Sequence, residues 1–570
     1  MTNKQIARIL RETGALIELT GGNDFRARAY QSASRVVERL EEPATDLVRD
    51  ERLRSVRGVG PVMAGQIADI LNRGSFDLLD ELLSAVPAGV VEILRVKGIG
   101  AKKARALWKD RGITSLEELE AAAESGMLAD LPGFGKRTEQ SILENVRLFK
   151  SFRAHRRYSE AMTAAAPILD RLRAVEGVVA ASFTGEMRRA MEVVSGADFV
   201  IAAADVTAVS EHVRAALSVQ ESVSAEDGVV LTGALPDALA VRIHVVPPDR
   251  FGSVLWRTTG SEEHCAAFEE QFGQPATAAS EEAIYAAAGI PWIPPELREN
   301  RGELDAASRN ALPALIRIED LRGTLHNHST YSDGANTLRQ MAEAARARGL
   351  SYFGVCDHSR SLTIANGLSI ERAQAQQEEI RLLNEEFAAD GGAPFRIFSG
   401  TESDILVDGS LDFPDDVLAT FDFVVASVHS RFNMTEAEGT ARVIQAVRNP
   451  YTTILGHATG RLLLSRAGYP IDHEAVIAAC AESDTVIEIN ANPRRLDMDW
   501  RWLRMATDLG VLISINPDAH SIEELDNVRW GVAAARKGWL TATQCLNAKT
   551  LDEITSFFAA RRAAVAGEAK

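Results

Sequence analysis

The sequence predicts a multidomain α/β protein: a helical amino-terminal region, a mixed α/β middle and a carboxy-terminal barrel of βα units. Three observations predict it. Seven short segments in roughly the last 250 residues begin as β-branched, aromatic or small apolar runs, and most lead into helical periodicity, the pattern of βα repeats in a parallel sheet or barrel. A Gly-x-Gly turn followed by a helix recurs three times in the first 150 residues. At 570 residues and 46% hydrophobic content, the chain can hold three or more cores.

The seven segments are GTLHNHS (323–329), FGVCDHS (353–359), IFSGTESD (397–404), VVASVHS (424–430), TILGHATG (453–460), VIEINAN (486–492) and LISINPDAH (512–520). In such barrels the βα loops converge on one mouth at the carboxyl ends of the strands. His326, His328, Asp333, His358, Glu402, His429, His457, Asp518 and His520 would meet there. That is too many ligands for one ion. Imidazole mixed with carboxylate suits two or three Zn, Mn or Fe ions, and such clusters hydrolyse phosphate esters. Six of the 11 histidines fall at these strand ends, far more than isolated hydrogen-bonded loop histidines explain. His473, at a helix start, is left unassigned. His326 and His328 alternate on one strand and so face the same side.

HNHSTYSDG, CDHS, GTESDI, SVHS, GHATGR and NPDAH resemble, in order, the motifs of PHP (polymerase and histidinol phosphatase) domains, over roughly residues 320–565. The resemblance implies a distorted (β/α)7 barrel with up to three Mn or Zn ions and a metal-activated water as nucleophile. It implies a first metal on His326, His328, Glu402 and Asp518, a second on Glu402, His429 and His457, and a third on Asp333, His358 and His520. Arg461 is the candidate for a further catalytic role. Asp404, Ser430, Asn490 and Asn492 are candidates for supporting the ligands or touching substrate.

Composition bounds the rest. No run of 18 apolar residues occurs, and the opening MTNKQIARILRETG is a charged amphipathic helix, so neither membrane span nor signal peptide is expected and the protein is read as cytoplasmic. Cys265, Cys356, Cys480 and Cys545 form no CxxC and are expected as reduced core thiols. Net charge is −18, but unevenly spread: residues 1–150 hold 23 Lys and Arg against 22 Asp and Glu, leaving 39 against 58 for the remainder. The near-neutral first part is therefore the piece expected to face a polyanion.

Within it, VRGVGPVMAGQIADIL (56–71), VKGIGAKKARALW (96–108) and LPGFGKRTEQSILENV (131–146) share an apolar residue, a Gly-x-Gly turn and a helix. Each resembles a helix-hairpin-helix element, in which glycines permit the turn and amide groups at the next helix start hold a phosphate. Gly58, Gly60, Gly98, Gly100, Gly133 and Gly135, with Lys102, Lys103, Lys136 and Arg137, are the expected DNA contacts. They grip backbone without reading sequence. The Arg-rich helix at 23–40 could line DNA or only solvate.

FTGEMRRAMEVVSGADFVIAA (183–203), VRIHVVPPDRFGSVLWRTTGSEEH (241–264) and AIYAAAGIPWIPPELRENRGELDAA (283–307) resemble the palm and thumb of family X DNA polymerases. With the flanking modules, this is the whole-chain architecture of the bacterial members. It implies a helix-hairpin-helix domain over 1–85, a fingers-like helix-hairpin-helix region over 86–155, a nucleotidyltransferase-like palm over 156–250, a thumb over 251–315 and the PHP barrel over 320–565, joined by a partly ordered linker at 303–323. The family's three Mg-binding carboxylates align with Gly196, Asp198 and Arg242, so two of three are lost and a cation stands where an anion belongs. Its Gly-Ser at the triphosphate aligns with Gly185-Glu186, although Arg188 and Arg189 remain, and its Tyr-Phe at the sugar aligns with Arg257-Thr258. Its lyase lysine aligns with Gln66. The expected function is a DNA-repair phosphoesterase, a 3′→5′ exonuclease with abasic-site and 3′-phosphate cleavage as further activities, acting as a monomer on gapped, single-stranded or 3′-ended DNA. The alternatives are a gap-filling polymerase using Asp198 and Glu192, a small-molecule phosphatase of the histidinol-phosphatase type, and a non-catalytic DNA-end scaffold.

Overall fold

The computed structural model describes residues 1–568 apart from 2, 39, 41, 132, 154, 218, 220, 226 and 235–238. Arg39 and Pro132, inside two of the segments above, thus lie outside the described residues. The chain divides into two compact units, Met1–Ala154 and His155–Lys570.

The first unit is helical, and one hydrophobic core runs through it from Ile6 to Val146. Helix Asp24–Glu38 buries Ala27, Tyr30, Ala33, Ser34 and Val37, a helical spacing that leaves its arginines on the other face. Gly58, Gly98 and Gly133 take φ of 98°, 88° and 84°. Gly60 and Gly100 then cap helices Pro61–Arg73 and Ala101–Arg111, and Lys136 opens helix Lys136–Arg153. The left-handed glycine turns the chain sharply, and the second glycine leaves the helix start uncovered by any side chain.

The second unit opens with a ribbon of β1 (Arg156–Arg157), paired with β3 (Val193–Val194). A mixed sheet follows, built from β2 (Val178–Thr184), β4 (Gly196–Ala203), β5 (Glu221–Ala225), β6 (Gly228–Ala234) and β7 (Ala240–Val246) in the order β2-β4-β7-β6-β5. Only β4 and β7 run parallel. Helices Phe251–Thr259, Glu262–Phe272 and Glu281–Ala287 then gather around Trp256, Phe268 and Tyr285.

Seven parallel strands form the rest: β8 (Gly323–Thr324), β9 (Tyr352–Val355), β10 (Arg396–Asp404), β11 (Phe423–Ser427), β12 (Ile454–Leu455), β13 (Val486–Asn490) and β14 (Ile513–Asn516). Their order is sequential, and a parallel bridge between Asn327 and Ala519 brings the first strand back to the last. Sequential parallel order follows from the intervening helices, which return the chain to the same end each time. Phe558, on helix Leu551–Glu568, packs on Phe398 and Phe423 near the starts of their strands. That helix therefore closes the end opposite the loops.

The linker at 303–323 is ordered throughout. It contains helix Glu303–Ser308, and Ile316 is buried with its amide donating to Leu540 O at 2.9 Å. Further contacts join the preceding residues to the barrel: Glu192 accepts from Trp500 Nε1 (2.9 Å) and Arg501 Nη1 (2.7 Å), and buried Lys537 meets Glu299 and the Arg189 carbonyl.

Candidate metal centre at the barrel mouth

The barrel register brings all nine side chains named above into one connected cluster. Glu402 lies at its centre. Its Oε1 is 2.9 Å from His457 Nε2 and 3.1 Å from His429 Nε2, and its Oε2 is 2.8, 3.4 and 3.6 Å from His358, His326 and His328. Asp518 lies 3.2 Å from His328 Nε2 and 3.6 Å from His326 Nε2, while Asp333 lies 3.6 Å from His358 and 3.4 Å from His520. Three groups are compact enough to share an ion: His328, Asp333, His358 and His520; His326, His328 and Asp518; and His358, Glu402 and His429. This grouping differs from the family-derived one in that His328 also joins the outermost set and His358 bridges towards Glu402. His457 reaches the cluster through Glu402.

The side chains fit metal ions. His326 Nε2, His328 Nδ1, His429 Nδ1 and His457 Nδ1 are buried without a hydrogen-bond partner, and His358 Nδ1 and Glu402 Oε2, though 2.8 Å apart, are not angled to bond each other and have no other partner. Buried polar atoms are seldom left so, and six at one mouth mark a place where something else completes them. Charge tells the same story. Burial resists ionisation of Glu402 and Asp518, but the surrounding imidazoles outweigh it and hold both carboxyls well below their usual range. His429 and His520, opposed by burial yet beside Glu402 with Asp404 and beside Asp333 with Asp518, are pushed up to about 9. Burial and the neighbouring His520 and His358 drive His328 down to about 4. Imidazolium here occupies the positive role that a bound cation would take.

Supporting groups fix these rings. Glu488 Oε1 accepts from His326 Nδ1 at 2.7 Å, and its Oε2 accepts from the His457 amide at 2.9 Å. Asn490 Nδ2 donates to Asp518 at 3.0 Å. Asp404 accepts from the His429 amide at 3.2 Å, the Ser430 carbonyl receives Arg442, and Asn492 caps its own turn through the Arg494 amide. Arg461 is placed differently from its assigned role. Its guanidinium is spent on the Arg495 carbonyl (3.0 Å), Asp499 (2.5 Å) and the Leu496 carbonyl. It braces the 494–499 loop, and the cation at the cluster is Arg495, 3.6 Å from Asp518. Sequence reasoning missed Glu488, Arg495 and Asp357, which anchors Ser329 through its amide and hydroxyl. Two-residue spacing from Asn490 was the available signal for Glu488. His473, left unassigned, stacks on Trp502.

The palm is arranged otherwise. On adjacent parallel strands Asp198 pairs in register with Arg242, and Gly196 with Ala240. A Cβ at Gly196 would lie 2.9 Å from the Ala240 carbonyl oxygen, so the strands have closed over the position where a carboxylate would start. Asp198 is pushed up by burial despite Arg242 nearby. Glu186 is held by the Ser195 amide and hydroxyl, and a Cβ at Gly185 would press on Asp198. Arg188 forks onto Glu281 with two 2.7 Å bonds, Arg189 pairs with Glu299 at 2.8 Å, and fully buried Arg298 joins Glu281 at 2.5 Å. Thr258 pairs its hydroxyl with Thr184 (2.6 Å), and Arg257 pairs with Glu269 at 3.0 Å. Glu192 is committed to Trp500 and Arg501.

In the first unit Lys102, Lys136 and Arg137 are exposed beside their turns, while Lys103 donates to the Gly98 carbonyl at 3.1 Å and lies over Phe134. Gln66 accepts from the Tyr30 hydroxyl at 2.8 Å. All four cysteines are free and buried, Cys356 with its thiol pushed well up by burial. No helix among the described residues is long and apolar enough to cross a membrane.

Known proteins align with this arrangement piece by piece. Residues 1–76 match the family described as helix-hairpin-helix domain, 90–147 the SAM-like helix-hairpin-helix tandem and 324–490 the PHP domain. A probable phosphatase of Thermoanaerobacter sp. (strain X514) is 26% identical over 254 residues, 43% of this chain and 96% of its own. One of Acetivibrio thermocellus is 30% identical over 169 residues, covering 29% and 63%. The DNA polymerase/3′-5′ exonuclease PolX of Bacillus subtilis (strain 168) is 35% identical over 579 residues, 98% of this chain and 99% of that protein. An identity of this level over nearly the whole of both chains means that the chain belongs to the PolX family of family X DNA polymerases.

Proposed function

We propose that this protein acts as a metal-dependent DNA phosphoesterase, a 3′→5′ exonuclease in its main activity, and that its palm does not polymerise. The observation that carries this reading is the contrast between two sites in one unit. The barrel assembles nine donors with six unsatisfied buried atoms, whereas in the palm Asp198 faces Arg242. His326, His328, Asp333, His358, Glu402, His429, His457, Asp518 and His520 would hold Mn or Zn, in up to three positions. Such ions supply Lewis acidity and lower the pKa of a bound water.

The chain's own residues do the rest. Glu488 sets the orientation of His326 and the His457 backbone, and Asn490 steadies Asp518. Arg495 provides a fixed cation on the rim for a phosphate oxygen. Helix-hairpin-helix turns at Gly58, Gly60, Gly98, Gly100, Gly133 and Gly135, with Lys102, Lys103, Lys136 and Arg137, hold the DNA backbone, on gapped, single-stranded or 3′-ended substrates. Abasic-site and 3′-phosphate cleavage fall within the same chemistry. The functional regions run 1–85, 86–155, 156–250, 251–315 and 320–565.

The test is a time course with a 5′-labelled DNA strand and Mn. Stepwise loss of 3′ nucleotides is expected from the native protein, reduced about a thousandfold or more in His326→Ala. Absence of shortening, or equal shortening by the variant, would overturn the assignment.

A gap-filling polymerase is the second reading, favoured by the name of the Bacillus relative. Primer extension across a one-nucleotide gap with all four deoxynucleotides and Mg should yield no more product than a protein-free control. Product that disappears in Asp198→Ala would establish the second reading instead.

A further inference from the structure

Between the loop at Asn300–Arg301 and the barrel helices Trp500–Asp508 and Val528–Lys537 lies a cleft of about 660 Å³, apart from the metal cluster. Its walls are cations laid on aromatic faces. Arg301 and Arg501 lie over Trp500 at 5.4 and 4.5 Å, and Arg504 lies over Trp539 at 4.2 Å. Lys537 and Arg501 serve structural partners, Glu299 in one case and Glu192 with Asp499 in the other. Arg301 and Arg504 are different. Arg301 is exposed and has no carboxylate within 4 Å among the described residues. Arg504, 43% exposed, has only Asp508 at 3.9 Å. The two are locked together, Arg504 Nη1 donating to the Arg301 carbonyl at 2.7 Å and Arg301 Nη2 to the Arg501 carbonyl at 3.2 Å. Two guanidinium groups, one held against Trp500 and the other against Trp539, each with donors left over, line one cleft as a preorganised receptor for phosphate oxygens.

A short stretch of chain links the cleft to the metal centre. Arg495, beside Asp518, and Trp500, in the cleft wall, are five residues apart, so the two places are separated by at most about 18 Å along the backbone. We propose that the cleft takes the phosphodiester backbone of single-stranded DNA leading away from the barrel mouth, with Arg301 and Arg504 each contacting a phosphate. This rests on the nuclease reading of the barrel and names where the uncut strand lies.

The experiment uses the full chain and fluorescence anisotropy of a labelled single-stranded 20-mer over a range of salt. Arg301→Glu/Arg504→Glu should weaken binding about tenfold or more at low salt. It should also lower the slope of log K against log salt by about 1.4, two single-strand contacts at about 0.7 each. Arg301→Lys/Arg504→Lys should retain the native slope, which separates lost charge from a damaged fold. In Mn-dependent cleavage the reversal variant should show a raised KM on the 20-mer and unchanged kcat, with a dinucleotide cut as by the native protein. An unchanged slope and KM would overturn the proposal. So would competition by a free nucleoside monophosphate as strong as that by the 20-mer, which would make the cleft a nucleotide pocket. If no DNA is cleaved by the native protein, the nuclease reading fails while the anisotropy arms still decide whether the cleft binds a strand.

Discussion

Glu402→Gln is expected to lower Mn-dependent 3′ cleavage by about a thousandfold or more, about 4 kcal/mol of transition-state stabilisation. Elemental analysis should show loss of bound metal in parallel. Five imidazoles converge on this one carboxylate, so an amide removes charge from every part of the cluster at once. It also places an NH2 group among ring nitrogens, where it can satisfy only acceptors. Glu488→Gln should fall short of this, by about 10–100-fold, because Glu488 orients His326 without reaching the cluster directly. Full metal content and near-native cleavage in Glu402→Gln would remove Glu402 from the centre of the mechanism.

Glu281→Gln should destabilise the second unit by about 3–5 kcal/mol, because it leaves Arg298, fully buried, and Arg188 without their shared counter-charge. Burial raises the Glu281 pKa, but the hydrogen bonds and charges of Arg188 and Arg298 overcome it and bring the value down to about 2. An unfolded glutamate titrates near 4.3. Ionised Glu281 therefore favours the fold fully above about pH 5, by about 3 kcal/mol, and that contribution disappears as pH falls towards 2. Urea unfolding of the native protein and the variant should give a difference that is large at pH 7 and shrinks at pH 3. A gap independent of pH would mean that packing, not charge, holds this corner.

The contrast between these two sites explains what the residues alone disclosed. His326, His328, His358, His429, His457, Asp518 and His520 were readable because strand-end position and residue type coincide, and a βα barrel converts position along a strand into position at the mouth. That Asp198 would pair with Arg242 was not read from the sequence, because which strands become neighbours, and in what register, is set by the sheet. Other contacts had no local signature. Glu488 meets His326 across 162 positions, and Arg188 meets Glu281 across 93. Both depend on side chains crossing between elements whose spacing is set only by packing. Arg461 shows the opposite error. A charged residue in a loop beside a ligand looks like a substrate contact until its acceptors are seen to be backbone carbonyls and Asp499.

Lys537 ties the barrel to the residues that precede it. Its ammonium, 1% exposed and brought down to about 8 mainly by burial, rests on Glu299 and on the carbonyl of Arg189, neither of which belongs to the barrel. Lys537 also lies over the Trp500 ring, 4.6 Å from its centroid. The barrel thus takes part of its foundation from the chain that precedes it, and a barrel cut free at residue 320 would lack the carboxylate that neutralises Lys537.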